Sequence, residues 1–203
     1  MKISILKVED LPVAVIDNLY SKTAYDKIWQ ELLFLNNGDK LIETNNTGAA
    51  KDDAGNDLKK NKALWLDKIY PQRNISNILM ENRVIWKEEF LNTLIEKHTF
   101  FKYFKNSNMD ATLLSYYEDS DYYSPHQDTA IFSAITWFFK SPKQFEGGDF
   151  ILENDCKIQV KSNRCVIFPS ILLHSVDKIS MPKSKKGKSL GRFAMSQFVT
   201  INN

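Results

Sequence analysis

The chain has 203 residues, of which 43% are hydrophobic and 12% aromatic, enough to bury a sizeable core in one domain or in one domain with an appendage. Its 27 Lys and Arg against 25 Asp and Glu give a net charge of +2, which excludes the strongly basic surface of an obligate nucleic-acid binder. Neither a secretory signal nor an apolar run of about 18 residues is present, so we expect a soluble, cytoplasmic protein without a membrane partner. Cys156 and Cys165 lack metal-site spacing and are expected to be small core residues in preference to a disulfide bridge.

The first hundred residues predict short strands followed by helices. Residues 1–20 alternate apolar and polar side chains in places, which is typical of short strands. Residues 23–34 take a helical period, with Thr23 as a candidate cap and Asn36, Asn37 and Gly38 as the residues that stop the helix. Helical spacing returns over residues 75–95, which predicts one long helix or two consecutive ones. The first half therefore supplies helices whose apolar faces must pack against a sheet.

Two polar segments interrupt this pattern. Residues 36–63 contain three glycines, and they are too weakly apolar to pack and too long for an ordinary connection. We therefore expect a mobile surface loop there, or a lid. Residues 181–192 are basic and contain two glycines, so we expect a solvated loop between two strands in preference to a site for an anionic partner.

From residue 110 onward, short apolar and β-branched runs are separated by turn residues, which predicts many short strands. The runs are ATLLSYY, AIFSAITWFF, DFILEN, KIQV, CVIFP, ILLHSV and RFAMSQFVTI. Strands that follow helices predict a mainly β fold, either a sandwich, a barrel or a jelly roll, buttressed by the helices. With neither an internal repeat nor a clear linker, we predict a single domain over residues 1–203, with helical support mainly at 20–105 and the β core mainly at 110–203.

The stretch SPHQDTA carries a His-x-Asp pair. On a strand, His126 and Asp128 project to the same face and can chelate one ion. His174 lies in the apolar run FPSILLHSV, where a polar imidazole needs a reason. Two histidines and one carboxylate are the ligand set of non-haem Fe(II) oxygenases and leave positions open, whereas a structural zinc site more often has four protein ligands. Each feature also has a simpler interpretation when it is taken separately. His126 and Asp128 can be a turn histidine beside a solvated aspartate, and His174 can be a core histidine whose hydrogen bonds are satisfied.

Three further features favour the metal site. Arg192 opens the last strand-like run, where a buried guanidinium demands an anion, either a ligand carboxylate or an Asp or Glu of the chain. The paired glycines of EGGDF, Gly147 and Gly148, mark a tight turn or a close approach of strands. The third feature is the spacing of Tyr117 and Tyr123 ahead of the His-x-Asp pair.

Together these residues resemble the Fe(II)- and 2-oxoglutarate-dependent dioxygenases, specifically the prolyl 4-hydroxylase-like branch. That branch reads Tyr-x-x-Gly-x-x-Tyr-x-x-His-x-Asp, and YEDSDYYSPHQD matches it except that Ser120 stands in the glycine position. A Gly-Gly turn, an FP pair, a His-x-Val and an Arg-x-x-x-Ser/Thr element then follow in the order of the family. The resemblance covers residues 111–202.

The resemblance implies a role for each matched residue. Three residues would hold Fe(II): His126, Asp128 and His174. Arg192 would bind the distal carboxylate of 2-oxoglutarate, and Tyr117 and Ser196 would be auxiliary contacts of this co-substrate. Core packing of Tyr117 and an ordinary strand position for Ser196 are equal alternatives. The implied fold is a double-stranded β-helix, a cupin-like jelly roll. The implied reaction consumes O2 and converts 2-oxoglutarate to succinate while a C–H bond is hydroxylated, and ascorbate is a further candidate cofactor.

The substrate is less determined. The branch implies a prolyl residue in a peptide or protein, but a free amino acid or small metabolite suits a chain of this length equally, and a non-catalytic cupin-like metal-binding module stays open. Relatives that demethylate nucleic acids usually carry a second arginine where this chain has Phe198, so no nucleic-acid substrate is expected. The aromatic residues that are candidates for the cavity wall are Tyr122, Tyr123, Trp137 and Phe138, with core packing preferred for the last two.

One departure from the family concerns spacing. His174 and Arg192 are eighteen residues apart, which is more than the family commonly has. The basic segment between them is therefore predicted to be an insertion that leaves the strand register intact.

Overall fold

The computed structural model describes residues 1–38, 40–44, 47–153 and 156–201. Two antiparallel sheets face each other, and the helices pack on the opposite face of the larger sheet. This arrangement confirms the predicted mainly β jelly roll, a double-stranded β-helix buttressed by helices. None of the helices that the structure describes has the length and apolar character needed to cross a bilayer.

The larger sheet carries most of the strands. In spatial order they are β1 (Lys2–Val8), β2 (Leu11–Asp17), β11 (Arg164–Pro169), β8 (Phe132–Phe138), β13 (Arg192–Thr200), β6 (Met109–Tyr117), β5 (Lys62–Trp65) and β3 (Ile42–Glu43). The smaller sheet has the order β10 (Cys156–Ile158), β9 (Phe150–Leu152), β12 (His174–Val176), β7 (Tyr122–His126) and β4 (Lys59–Lys60). All seven strand-like runs of the second half therefore form strands.

The α-helices of the described residues are α1 (Lys22–Asn37), α2 (Leu66–Ile69), α3 (Asn77–Glu81), α4 (Glu88–Lys97) and α5 (Lys102–Lys105). The predicted first helix is confirmed, but its cap is Ser21 and not Thr23. Ser21 has extended backbone, and its hydroxyl accepts a hydrogen bond from the N–H of Ala24, as an N-cap requires. The helix continues through Asn36 and Asn37, so of the three predicted stop residues only Gly38 lies beyond its end.

The second helical region is confirmed as two consecutive helices. A short 3-10 helix, Asn82–Trp86, joins α3 to α4, so the alternative of one continuous helix is wrong. The side chain of Asn82 is buried and donates to the Thr112 hydroxyl on β6 at 2.9 Å. This contact ties the junction to the larger sheet.

The polar segment 36–63 is more structured than its composition predicts. It supplies β3, β4 and the start of β5, and the side chains of Thr47, Lys59 and Asn61 are buried. The expectation that it is too polar to pack is wrong, because pairing with β6 and β7 satisfies its backbone groups. Asp39, Asn45 and Asn46 lie outside the described residues, and a lid in this segment stays a prediction.

The basic segment 181–192 lies between β12 and β13, as predicted. Two of its lysines have partners elsewhere in the chain: Lys186 pairs with Asp119 at 3.0 Å, and Lys185 donates to Gln144. Beyond it, β13 pairs with β6 without a break from Arg192 to Thr200, so the strand register is intact, as predicted. That the segment is an insertion stays a prediction.

Alternation along β13 explains how the site is built into the core. Phe193 and Met195 pack among the helices, whereas Ala194 packs in the apolar cluster between the sheets. Side chains two apart on a strand share a face, so Arg192 and Ser196 also face the smaller sheet. The two cysteines are core residues: Cys165 is buried, and Cys156 is half-buried.

Candidate active site

The two histidines of the predicted triad lie opposite each other on neighbouring strands. His126 ends β7, His174 begins β12, and the two are direct partners in the antiparallel pairing. Asp128 lies beyond the end of β7, so the expectation that it shares a strand face with His126 is wrong. The Asp128 N–H donates instead to the Ser170 carbonyl at 3.2 Å. Potential ligand atoms of the three residues nevertheless lie within 4.8 Å of one another.

Backbone carbonyls fix the orientation of both imidazoles. His126 Nδ1 lies 2.9 Å from the Ser124 carbonyl oxygen, and His174 Nδ1 lies 2.9 Å from that of Leu172. Because a carbonyl only accepts, both Nδ1 atoms carry the proton, and both Nε2 lone pairs are left for a metal. Burial, and then the charge of His174, lower the pKa of His126 to about 4, which keeps its ring neutral near pH 7.

The Asp128 carboxylate is also held in place. The Ser133 hydroxyl on β8 donates to Asp128 Oδ2, and Ser133 contacts the Ser170 hydroxyl at 2.9 Å. Burial by itself raises the pKa of Asp128, but the neighbouring His174 and the Ser133 hydroxyl outweigh it and hold this pKa below its ordinary value. Asp128 is therefore an ionised and oriented ligand candidate.

Arg192 is fully buried on β13, directly opposite Tyr117 on β6. Its guanidinium carbon lies 4.6 Å from the centroid of the Tyr117 ring. Nη1 donates to the Gly148 carbonyl, but Nε and Nη2 have no partner among the described residues. Burial lowers the pKa of Arg192 to about 10, so the group remains a cation at neutral pH.

The paired glycines support this arginine. Gly147 and Gly148 both have positive φ, at 67° and 70°. A Cβ on Gly147 would lie 2.3 Å from the Lys178 carbonyl oxygen, so the predicted close approach of backbone is confirmed. The turn places the Gly148 carbonyl against Arg192.

All six predicted site residues line one cavity of about 360 Å³ between the sheets: His126, Asp128, His174, Arg192, Tyr117 and Ser196. Of the four aromatic candidates, Tyr123 and Trp137 also line it. Phe138 packs among the helices instead, and Tyr122 lies at the surface.

The sequence interpretation missed one charged residue of the cavity wall. Lys59 lies on β4 opposite Tyr123 and lines the cavity, although its segment resembles a surface loop. Its Nζ lies 5.3 Å from the Tyr123 ring centroid, and that ring stacks on His126 at 3.5 Å. Only the spacing of Tyr123 ahead of His126 was visible in the sequence, and nothing there identified Lys59.

The donor set fits Fe(II) and a dicarboxylate. Two imidazoles and one carboxylate leave several coordination positions open, as a non-haem iron site requires. The two unpartnered guanidinium nitrogens of Arg192 match the two oxygens of a carboxylate. One cavity thus contains a cluster of metal-ligand candidates and, separately, the Arg192 guanidinium, which can bind a carboxylate.

The fold and this cluster define a class, jelly-roll proteins with a two-histidine, one-carboxylate centre. Residues 111–199 match the family model of the 2OG-Fe(II) oxygenase superfamily. This segment is therefore a 2OG-Fe(II) oxygenase domain, and the resemblance seen in the sequence is confirmed. The family supports a dioxygenase that uses Fe(II), 2-oxoglutarate and O2.

Solved structures agree on the fold. A prolyl-4-hydroxylase from Pseudomonas putida is similar with a TM-score of 0.58 and 10% identity, covering 94% of this chain and 93% of the other. The viral collagen prolyl hydroxylase vCPH from Paramecium Bursaria Chlorella virus-1 gives 0.52 and 14%, covering 94% and 96%. The non-heme alpha ketoglutarate dependent epimerase SnoN from nogalamycin biosynthesis gives 0.57 and 9%, covering 93% and 77%. A search of the curated proteins found no match.

Proposed function

We propose that this protein is an Fe(II)- and 2-oxoglutarate-dependent hydroxylase that converts 2-oxoglutarate to succinate while it hydroxylates a C–H bond. The observation that carries the proposal is the pairing, in one cavity, of the His126, Asp128 and His174 cluster with the unpartnered guanidinium of Arg192. A structural metal site would not need a second, uncompensated cation beside it. We further propose that residues 1–203 form a single domain.

In this proposal His126 and His174 bind the metal through Nε2, and Asp128 through its carboxylate. Arg192 binds the distal carboxylate of 2-oxoglutarate, with Tyr117 and Ser196 as neighbouring contacts in the cavity wall. Iron, when bound, supplies the activation of O2 that organic side chains do not provide. The protein's part is to orient the co-substrate, hold the imidazole tautomers and exclude water through the buried walls of the cavity.

For the substrate, a prolyl residue in a peptide or protein is our first candidate. It is supported by the sequence pattern of the prolyl 4-hydroxylase-like branch and by fold similarity to two proteins that are themselves prolyl hydroxylases. A free amino acid or small metabolite is the second candidate, because the cavity of about 360 Å³ is small. Ascorbate as a cofactor, the absence of a nucleic-acid substrate and a cytoplasmic location stay predictions.

The test is an anaerobic visible absorption titration with Fe(II) and then 2-oxoglutarate. Wild type should give a co-substrate-dependent charge-transfer band, and His174→Ala should abolish it. His98→Ala is the matched control, since His98 is the third histidine and is exposed. The absence of a band in folded, metal-loaded wild type would refute the proposal and favour a non-catalytic module.

A further inference from the structure

Lys59 is a buried cation in the cavity. Its residue is only 4% exposed, and its side chain lines the same space as the metal-ligand candidates. Among the ion pairs of the described residues, none includes Lys59, whereas the next residue, Lys60, pairs with Asp121 at 3.4 Å. Burial lowers the pKa of Lys59 to about 8. A buried cation without an ion pair needs a reason, since burial penalises the charge.

The position of Lys59 is fixed by rings that connect it to the metal site. Its Nζ lies over the Tyr123 ring, and Tyr123 stacks almost parallel to the imidazole of His126, with 13° between the planes. A group bound to this ammonium would therefore lie about one aromatic ring away from a metal ligand. A substrate bound to this ammonium therefore extends from there toward the metal site within the same cavity.

Within the cavity, the charges of the proposed site leave Lys59 uncompensated. Outside it, the Asp57 carboxylate raises the pKa of Lys59, but Asp57 does not line the cavity and pairs with Lys51 at 3.6 Å. A divalent metal and Arg192 carry three positive charges, and Asp128 with doubly ionised 2-oxoglutarate carries three negative ones, by the formal charges of these groups. The remaining positive charge is that of Lys59. A single lysine balances one negative charge, which matches a carboxylate, whereas a phosphate monoester carries about 1.5 to 2 charges at neutral pH.

We infer that Lys59 binds a carboxylate of the substrate and so selects substrates with a carboxylate close to the C–H bond that is hydroxylated. This inference rests on the proposed function and specifies its substrate class. The carboxylate comes either from a free amino acid or from an acidic residue beside the target in a peptide.

The experiment compares carboxylates with their amides in protein loaded with Mn(II), a redox-silent substitute for iron, and 2-oxoglutarate. One set of pairs is free amino acids against their amides, beginning with L-proline and L-prolinamide. The other set is acetylated, amidated prolyl peptides with Glu or Gln next to proline, which distinguishes the two sources. Binding is measured by calorimetry, so the result does not depend on turnover.

Wild type should bind the acid of at least one pair about tenfold or more tighter than the amide. Lys59→Gln and Lys59→Met should remove this preference, and Lys60→Gln, the matched control at an exposed, ion-paired lysine, should retain it. Thermal unfolding of each variant establishes that the loss is not one of folding.

Three outcomes would overturn the inference: no acid preference in wild type, a preference that survives in Lys59→Gln, or weaker binding of 2-oxoglutarate itself in folded Lys59→Gln. The last would assign the lysine to the co-substrate. Failure of the proposed function is distinguishable, because wild type would then show neither 2-oxoglutarate binding nor its absorption band.

Discussion

Two buried charged residues on neighbouring strands of the larger sheet differ in the partners that the chain supplies to them. Asp110, at the start of β6, has a side chain that is 2% exposed and accepts hydrogen bonds from four side chains, those of Arg73, Arg83, Trp86 and Gln197. Arg192, at the start of β13, is equally buried, but among the described residues it donates only to the Gly148 carbonyl. The two strands are paired antiparallel, so these residues lie towards opposite ends of the same ladder.

This difference indicates a structural role for Asp110 and a ligand-binding role for Arg192. The charge of Asp110 is compensated within the chain, so its network connects the helical region to the sheet and has no capacity left for a ligand. The charge of Arg192 is not compensated by any ion pair of the described residues. Its buried guanidinium is therefore available to bind an anionic ligand. We expect substitutions of the two residues to have opposite consequences.

The largest effect is expected for Asp110→Asn. The variant keeps the shape but removes the charge that compensates Arg73 and Arg83, and the free energy of unfolding should fall by about 3 kcal/mol. Urea unfolding measures this loss. Asp26→Asn is the control, because its ion pair with Lys22 is exposed and should contribute less than about 0.5 kcal/mol. Equal losses in the two variants would contradict the contrast.

Arg192→Met should show the reverse pattern. The affinity for 2-oxoglutarate should fall by about 100-fold, because a charge-assisted pair with its carboxylate is lost. The free energy of unfolding should change by less than about 1 kcal/mol, since no carboxylate among the described residues loses its partner. Calorimetric titration and urea unfolding measure both quantities. A destabilisation as large as that of Asp110→Asn would indicate that Arg192 is structural.

Ser133→Ala should weaken metal binding by about tenfold, because it removes the hydroxyl that orients the Asp128 carboxylate. A competition titration with a chelator measures this change. Ser107→Ala, which removes a serine hydroxyl outside the cavity, should leave the metal affinity unchanged. An unchanged affinity in Ser133→Ala would mean that Asp128 keeps its position without this contact.

The smallest effect is expected for Ser120→Gly. Ser120 stands in the family's glycine position and has a φ of 69°, a region that costs an L-residue about 1–2 kcal/mol. Glycine removes this strain, but it loses more entropy on folding and gives up the exposed hydrogen bond that Ser120 Oγ accepts from Lys60 Nζ, so the net gain should be at most about 0.5 kcal/mol in unfolding free energy. Thermal unfolding checks the sign. Ser4→Gly, in the middle of β1, should instead destabilise the protein.

Much of the candidate site could be predicted because its residues lie in ordered, short-range patterns. His126, Asp128, His174 and Arg192 are each marked by neighbours within a few residues, and the structure brings all four to one cavity. The exact geometry of Asp128 was not predictable, because it depends on where β7 ends and on Ser170, distant in the sequence.

The sequence by itself determined the mainly β class, the helices of the first half and the ordered motif, since periodicity and spacing are local properties of the chain. Only the tertiary structure decided that Lys59 is a buried cation. Its segment is as polar as a surface loop, and its burial follows from the pairing of β4 with β7, more than sixty residues away. Burial of a charge depends on neighbours that are remote in sequence, and no local pattern records them.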